Sequence, residues 1–183
     1  MSAEARRELV ARRNALSAAE RESATAIVNR LLIQLSRERD FKRVAVYLAI
    51  KGELSLASFI EWLHREQRKV YLPKIDQPQQ GEMQFIRFAP STELEIADFG
   101  LTEPPAEGET LDARALELVC APLLGFHGHT RMGWGKGYYD RCFAFRLRRQ
   151  PPPLLVGVAF ACQELAEIDA QPWDVPMDRI IRA

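Results

Sequence analysis

The stretch RMGWGKGYYDR, residues 131–141, concentrates groups suited to chemistry on an anion. Gly133, Gly135 and Gly137 stand at alternate positions, where a chain lacking side chains can bend sharply and let a ligand approach its backbone. Successive amides in such a segment can point inward as a nest for an anion. Arg131 offers a two-pronged donor and Lys136 a point charge. A helix beginning near Tyr138 would aim its positive dipole end at the same place, worth about 0.3–1 kcal/mol at an exposed site. Glycines, cations and helix end together favour a phosphate; the alternative is a charged surface loop.

Two common phosphate motifs do not fit. A P-loop needs Ser or Thr after its Gly-Lys pair, and here Gly135-Lys136 is followed by Gly137. The dinucleotide fingerprint needs its third glycine one place later, where Tyr138 stands. His127 and His129, in GFHGHTR, have no third histidine or cysteine cluster beside them, so they read as solvated rather than as metal ligands. Cys120, Cys142 and Cys162 have neither a metal spacing nor that of a disulfide framework, which points to a reduced, cytoplasmic setting.

A sheet has to carry the glycine segment. VAVYLAI (44–50), KVYLPKI (69–75), LELVCAP (116–122) and LLVGVAF (154–160) are apolar runs expected of strands covered on both faces, with MQFIRF (83–88) and RII (179–181) as further strand candidates. LSLASFIEWLHRE (54–66) has helical spacing, with Leu56, Phe59, Ile60 and Leu63 on one side. Lying between the first two strands, it predicts a crossover and a parallel pair. The first forty residues read as helix, with a capping box at Ser17–Glu20 and a stripe of Ile27, Leu31 and Leu35. Residues 138–149 read as another helix, whose arginine run ends it in solvent, and the acidic, turn-rich stretch 89–112 reads as a surface excursion. Cys120, Trp62 and Trp173 read as packing. The expected architecture is a single three-layer α/β domain over residues 1–183, Rossmann-like, with a mostly parallel but mixed sheet and helices on both faces. Ligands in such folds bind beyond the carboxyl ends of strands, and LELVCAP feeds straight into the glycine segment.

Bulk properties narrow the function. The chain has 183 residues, 47% hydrophobic and 27% charged, with a formal net charge of zero, so no bulk attraction to nucleic acid is indicated. No apolar run approaches the roughly 20 residues of a membrane span. The expected partners are small molecules, with no nucleic acid and no membrane, and the chain is expected to act as a monomer.

The glycine segment followed by Tyr-Tyr-Asp resembles the hallmark R-L-G-x-G-x-G-Y-Y-D of the 5-formyltetrahydrofolate cyclo-ligase family, also called 5,10-methenyltetrahydrofolate synthetase, with Met132 in the Leu position. RRELVARRNALS, VAVYLAIKGEL, KVYLPKI, FGLTEP, LELVCAP and WDVPMDRII look like further family landmarks in family order. The resemblance implies an ATP-dependent, magnesium-requiring conversion of 5-formyltetrahydrofolate to 5,10-methenyltetrahydrofolate, with release of ADP and phosphate. It implies that ATP meets Ser2, Arg6, Arg131, Met132, Gly133, Trp134, Gly135, Lys136, Gly137, Tyr138 and Tyr139. It further implies that folate meets Leu48 and Glu53 together with Trp134, Gly135, Lys136, Gly137 and Tyr138. Arg131, Lys136 and Tyr139 would surround the transferred phosphoryl group, and Asp140 and Asp178 match magnesium-ligand positions, the plainer alternatives being a helix cap and a turn residue. Two departures stand out. Ser2 replaces a lysine usual in the family, and GFHGHTR has His127 at an Asp position and is one residue short. They motivate an alternative, a nucleotide- or folate-binding regulator without turnover.

Overall fold

The computed structural model describes residues 3–76, 82–96 and 102–183. Two helices open the chain, α1 (Ala3–Asn14) and α2 (Ala18–Arg39). The break between them is the expected capping box: the Glu20 amide donates to Ser17 Oγ, and the Glu20 carboxylate accepts from the Ser17 amide at 2.8 Å. Then follow β1 (Arg43–Ala45), α3 (Ala57–Arg65), β2 (Lys69–Asp76) and β3 (Glu82–Phe88). Three two-residue strands, β4 (Glu95–Ile96), β5 (Thr102–Glu103) and β6 (Thr110–Leu111), occupy the acidic excursion. The chain continues through β7 (Leu118–Pro122), the hairpin β8 (Gly125–His127) and β9 (Thr130–Met132), α4 (Tyr138–Cys142), β10 (Leu154–Ala159) and β11 (Arg179–Arg182).

Seven strands form the central sheet in the order β11-β10-β7-β1-β2-β3-β6. The five from β11 to β2 are parallel, while β3 pairs antiparallel with β2 and β6 antiparallel with β3. The expected mostly parallel, mixed sheet is therefore present. Period-2 alternation along β7 sends Leu118 and Cys120 into a core shared with α2 and α3, and Val119 and Ala121 into a second core on the other face. The second core packs on Phe143, Tyr139 and Phe145, so helical segments cover both faces.

Three expectations shift. The strand expected over 44–50 ends at Ala45; Val46 still donates to Tyr71 O at 2.9 Å, after which the chain leaves the sheet. The helix expected over 138–149 breaks after five residues, because Phe143 turns inward between Phe85, Tyr139 and Phe145, and a 3-10 turn (Ala144–Leu147) follows. Arg146 in that turn is not a solvated helix end. Its side chain is 6% exposed and pairs with Asp178.

Candidate active site

From β1 the chain runs to β2, β3 and β6 on one side and then returns to β7, β10 and β11 on the other, so β1 and β7 flank the point where strand order reverses. Beyond the carboxyl ends of these two strands lies a cavity of about 960 Å³, lined at its floor by Tyr47, Leu48 and Pro122. The hairpin β8–β9, turning at Gly128 with φ 54°, delivers Arg131 and Met132 to the cavity wall. Its two imidazoles are not merely solvated as expected: His127 Nδ1 lies 3.0 Å from Leu165 O and His129 Nδ1 2.7 Å from Met177 O, which docks the hairpin on the rest of the chain.

The glycine segment is a cradle ringed by guanidiniums. Gly135 and Gly137 hold φ of 87° and 66°, conformations that a side chain would strain. A Cβ placed on Gly133, Gly135 or Gly137 would meet a guanidinium tip, of Arg131 at 3.0 Å, Arg6 at 3.0 Å and Arg141 at 2.8 Å respectively. Three arginines from α1, β9 and α4 thus converge on one short loop, and Lys136 stands exposed within it. The buried Nε atoms of Arg6 and Arg131 have no hydrogen-bond partner among the described residues. α4, at five residues, contributes far less dipole than the longer helix expected there, so the positive field here comes from side chains and loop amides.

Arg131 is held on two sides. Its Nη2 donates to Asp140 Oδ2 at 2.9 Å, and its guanidinium lies 5.1 Å from the Tyr139 ring centroid. Asp140 Oδ1 also accepts from Val175 N at 3.2 Å. Burial pushes the Tyr139 hydroxyl well above its ordinary pKa, with Arg131 opposing the shift, so this phenol stays protonated and can donate.

The opposite wall is apolar, formed by Leu72, Pro73, Ile75 and Met83, with two carboxylates: Glu103, which accepts from Ile75 N at 3.4 Å and pairs with Lys74, and Glu53. The Glu53 carboxylate accepts from Ile50 N at 3.2 Å and from the Trp134 indole N–H. Burial raises the Glu53 pKa, and Arg13, Lys51 and the two donors pull it back down.

Of the expected site residues, Arg6, Leu48, Glu53, the run from Arg131 to Tyr139 and Asp140 all line this one cavity. Ser2 lies outside the described residues. The structure does not bring Asp178 to it. That carboxylate accepts from Arg146 Nη2 at 2.7 and 2.9 Å and from Leu155 N at 2.7 Å, at the amino end of β10 rather than the carboxyl rim. Trp173, expected in packing, is 65% exposed on the cavity rim beside Asp174. Sequence reasoning also passed over Lys51 and Gln171, which line the cavity but carry no spacing that separates them from ordinary surface residues, and it gave Arg141, the last cation of the glycine stretch, no role of its own. Among the described residues no three His, Cys, Asp or Glu side chains form a metal cluster, and no helix is long and apolar enough to cross a membrane.

The 5-formyltetrahydrofolate cyclo-ligase family model matches residues 1–183. A 5-formyltetrahydrofolate cyclo-ligase of Haemophilus influenzae is 29% identical over 168 residues, covering 91% of this chain and 89% of that one. The Mycoplasma pneumoniae cyclo-ligase is 30% identical over 179 residues, covering 96% and 94%. Among solved structures, the 5,10-methenyltetrahydrofolate synthetase of Aquifex aeolicus superposes with a TM-score of 0.81 at 31% identity, over 98% of this chain and 88% of that one. That of M. pneumoniae gives 0.76 at 30%, over 97% and 96%. The cavity at the strand reversal, with its glycine cradle, is thus the centre of a chain that belongs to the 5-formyltetrahydrofolate cyclo-ligase family, a family of ATP-dependent ligases.

Proposed function

We propose that the chain closes 5-formyltetrahydrofolate to 5,10-methenyltetrahydrofolate at the expense of ATP, with the triphosphate in the glycine cradle and the pterin against the apolar wall. The observation that carries this reading is the division of one cavity: guanidiniums and bare backbone at one end, apolar side chains with the carboxylates of Glu53 and Glu103 at the other. A formamide oxygen is a poor leaving group. When it attacks the terminal phosphorus, the bond to the bridging oxygen breaks and ADP departs. The neighbouring folate nitrogen then attacks the activated carbon, loses its proton, and expels the oxygen as phosphate.

Phosphoryl transfer asks for alignment and charge neutralisation more than for a side-chain nucleophile. Arg131, locked by Asp140 and Tyr139, supplies a fixed guanidinium. Arg6 and Lys136 add charge from the two sides of Gly135, whose bare backbone admits the phosphate. Glu53, ionised, accepts from the amino and ring N–H groups of the pterin, while Trp134 and Leu48 bound its plane. Asp140 is the carboxylate paired with Arg131 beside the cradle, part-exposed and with lone pairs left on both oxygens, so it fits one hard ligand position for magnesium; Asp178, three times bonded elsewhere, does not fit a second. When bound, the ion would neutralise charge between the phosphates. Every group in this scheme comes from one chain, which suits a monomer acting in the cytoplasm on two small molecules.

The test is direct. Purified protein with 5-formyltetrahydrofolate and Mg-ATP should show the near-ultraviolet absorbance of the methenyl product, with one ADP released per product. Folded protein that binds both ligands and forms no product would instead be a binding protein.

A further inference from the structure

Arg13 is fully buried, and the chemistry above does not use it. It stands seven residues beyond Arg6, two turns along the same face of α1, with Leu9 between them in a core with Leu124 and Met132. Its Nη2 donates to the Lys51 carbonyl at 2.6 Å, and its guanidinium lies 6.0 Å from the Trp134 ring centroid. The remaining nitrogens, Nε and Nη1, are buried without a hydrogen-bond partner among the described residues. Lys51 and Gly52 both hold positive φ, 48° and 76°, and Glu53 N closes the turn onto Ile50 O at 2.9 Å. Arg21 takes the next carbonyl, its Nη1 donating to Gly52 O at 3.1 Å. Two guanidiniums therefore clamp successive carbonyls of a strained turn whose following residue is Glu53. An arginine kept only for packing would carry its head to water, and unmet buried donors are costly.

We propose that Arg13 is a positioning residue for the folate: through the Lys51 carbonyl and the Trp134 ring it fixes Glu53 and Trp134 as one preorganised face for the pterin. The inference rests on the assignment of Glu53 to the pterin made above. α1 then serves both ends of the cavity, Arg6 at the phosphate and Arg13 beneath the folate. The groups facing Glu53 are Arg13 from α1, Lys51 from its own turn, Trp134 from the glycine segment, Tyr139 from α4 and Tyr47 from the end of β1. Arg13 is the foremost cation opposing the burial that raises the Glu53 pKa, so its removal moves that titration upward.

The experiment compares Arg13→Met and Arg13→Lys with the unaltered chain, measuring KM for 5-formyltetrahydrofolate and for ATP across neutral to mildly acidic pH. Arg13→Met should raise the folate KM roughly tenfold, the worth of one charge-assisted hydrogen bond, and the ATP KM less than about twofold. The acidic limb of folate KM should move to higher pH, and Arg13→Lys, which restores a donor and the charge, should recover most of both effects. Equal rises in the two KM values, or an acidic limb that stays in place, would overturn the inference. If Arg13→Met does not fold, Arg21→Met, which frees the Gly52 carbonyl, must give the same folate-selective rise at smaller size, or the inference falls. An unaltered chain that makes no methenyl product rejects the cyclo-ligase reading and this inference with it, whereas an active chain whose Arg13 variants lack selectivity rejects the inference alone.

Discussion

At the glycine cradle the cavity wall is backbone and cations: two residues at positive φ, three guanidinium tips within 3.0 Å of where a Cβ would stand, and an exposed lysine. At the wall proposed for the folate the same cavity is made of Leu72, Pro73, Ile75 and Met83 with two carboxylates, Glu103 paired with Lys74 and Glu53, whose pKa burial raises. The first end is strongly positive without a ligand, and an incoming triphosphate relieves its self-repulsion. The second is mostly apolar, and its Glu53 carboxylate is held against the cost of burial. The two ends therefore respond to different perturbations. The cradle depends on charge and backbone shape, and the folate wall on the protonation and placement of Glu53.

The largest effect is expected at Lys136, which lies exposed in the cradle and makes no hydrogen bond or ion pair among the described residues. Lys136→Met should lower kcat by roughly 10²–10³-fold, the range for removing one preorganised charge from a phosphoryl-transfer site, with an unchanged thermal midpoint. A fall confined to the ATP KM would show instead that Lys136 only anchors the nucleotide. At the opposite end, Glu53→Gln should raise the folate KM about 10- to 100-fold, as expected when a charged hydrogen bond to a ligand is replaced by a mismatched one, and leave the ATP KM alone. The sign of its pH dependence follows from the raised pKa. The carboxylate must be ionised to accept pterin N–H groups, so folate binding by the unaltered chain weakens as pH falls through a value above the usual carboxylate range, and Glu53→Gln should remove that limb. For the ligand-free fold the linkage runs the other way, because a pKa raised on folding gives stability that is present at low pH and lost as pH rises through the folded value. The thermal midpoint of the unaltered chain relative to Glu53→Gln should accordingly drop as the solution is taken from acid to neutral.

The two ends also differ in how openly the sequence displayed them. The cradle is contiguous, and alternate glycines beside cations carry their chemistry on the surface of the text; so do the buried strands, the capping box at Ser17 and the crossover before Lys69. Glu53 was reached only through the likeness of VAVYLAIKGEL to a family, since one acid after an apolar run has many uses. Arg13 was invisible, because α1 holds four arginines and nothing in their spacing marks the one that is buried. The hairpin carrying Arg131 depends on docking by His127 and His129 onto distant carbonyls, and the break in the helix after Cys142 depends on what Phe143 meets across the sheet. Such long-range packing overrides local propensity.

Gly135→Ala tests whether backbone shape matters apart from charge. A Cβ at φ 87° is strained and presses on Arg6 Nη2 at 3.0 Å, so the loop or Arg6 must shift. The ATP KM should rise about tenfold, in line with a cost of 1–2 kcal/mol for the left-handed conformation, and the folate KM should change little. Equal changes in both would mean that the two ends are not separable.

The smallest effect on turnover is expected at Asp178, which belongs to neither end. Its oxygens take three hydrogen bonds, from both contacts with Arg146 and from Leu155 N, at the amino edge of the sheet. Asp178→Asn weakens a charge pair on a nearly buried arginine while keeping an acceptor for the amide. The loss should be about 1–2 kcal/mol of stability, which for a chain of this size lowers the thermal midpoint by roughly 3–6 °C. The magnesium concentration for half-maximal rate should stay where it is, whereas Asp140→Asn, altering the carboxylate bonded to Arg131 and proposed as a magnesium ligand, should raise it several-fold, as expected when a hard oxygen ligand is lost. A magnesium requirement that moved with Asp178 and not with Asp140 would mean that the strand end rearranges toward the cradle when nucleotide binds, and the division between a catalytic rim and a structural edge would have to be redrawn.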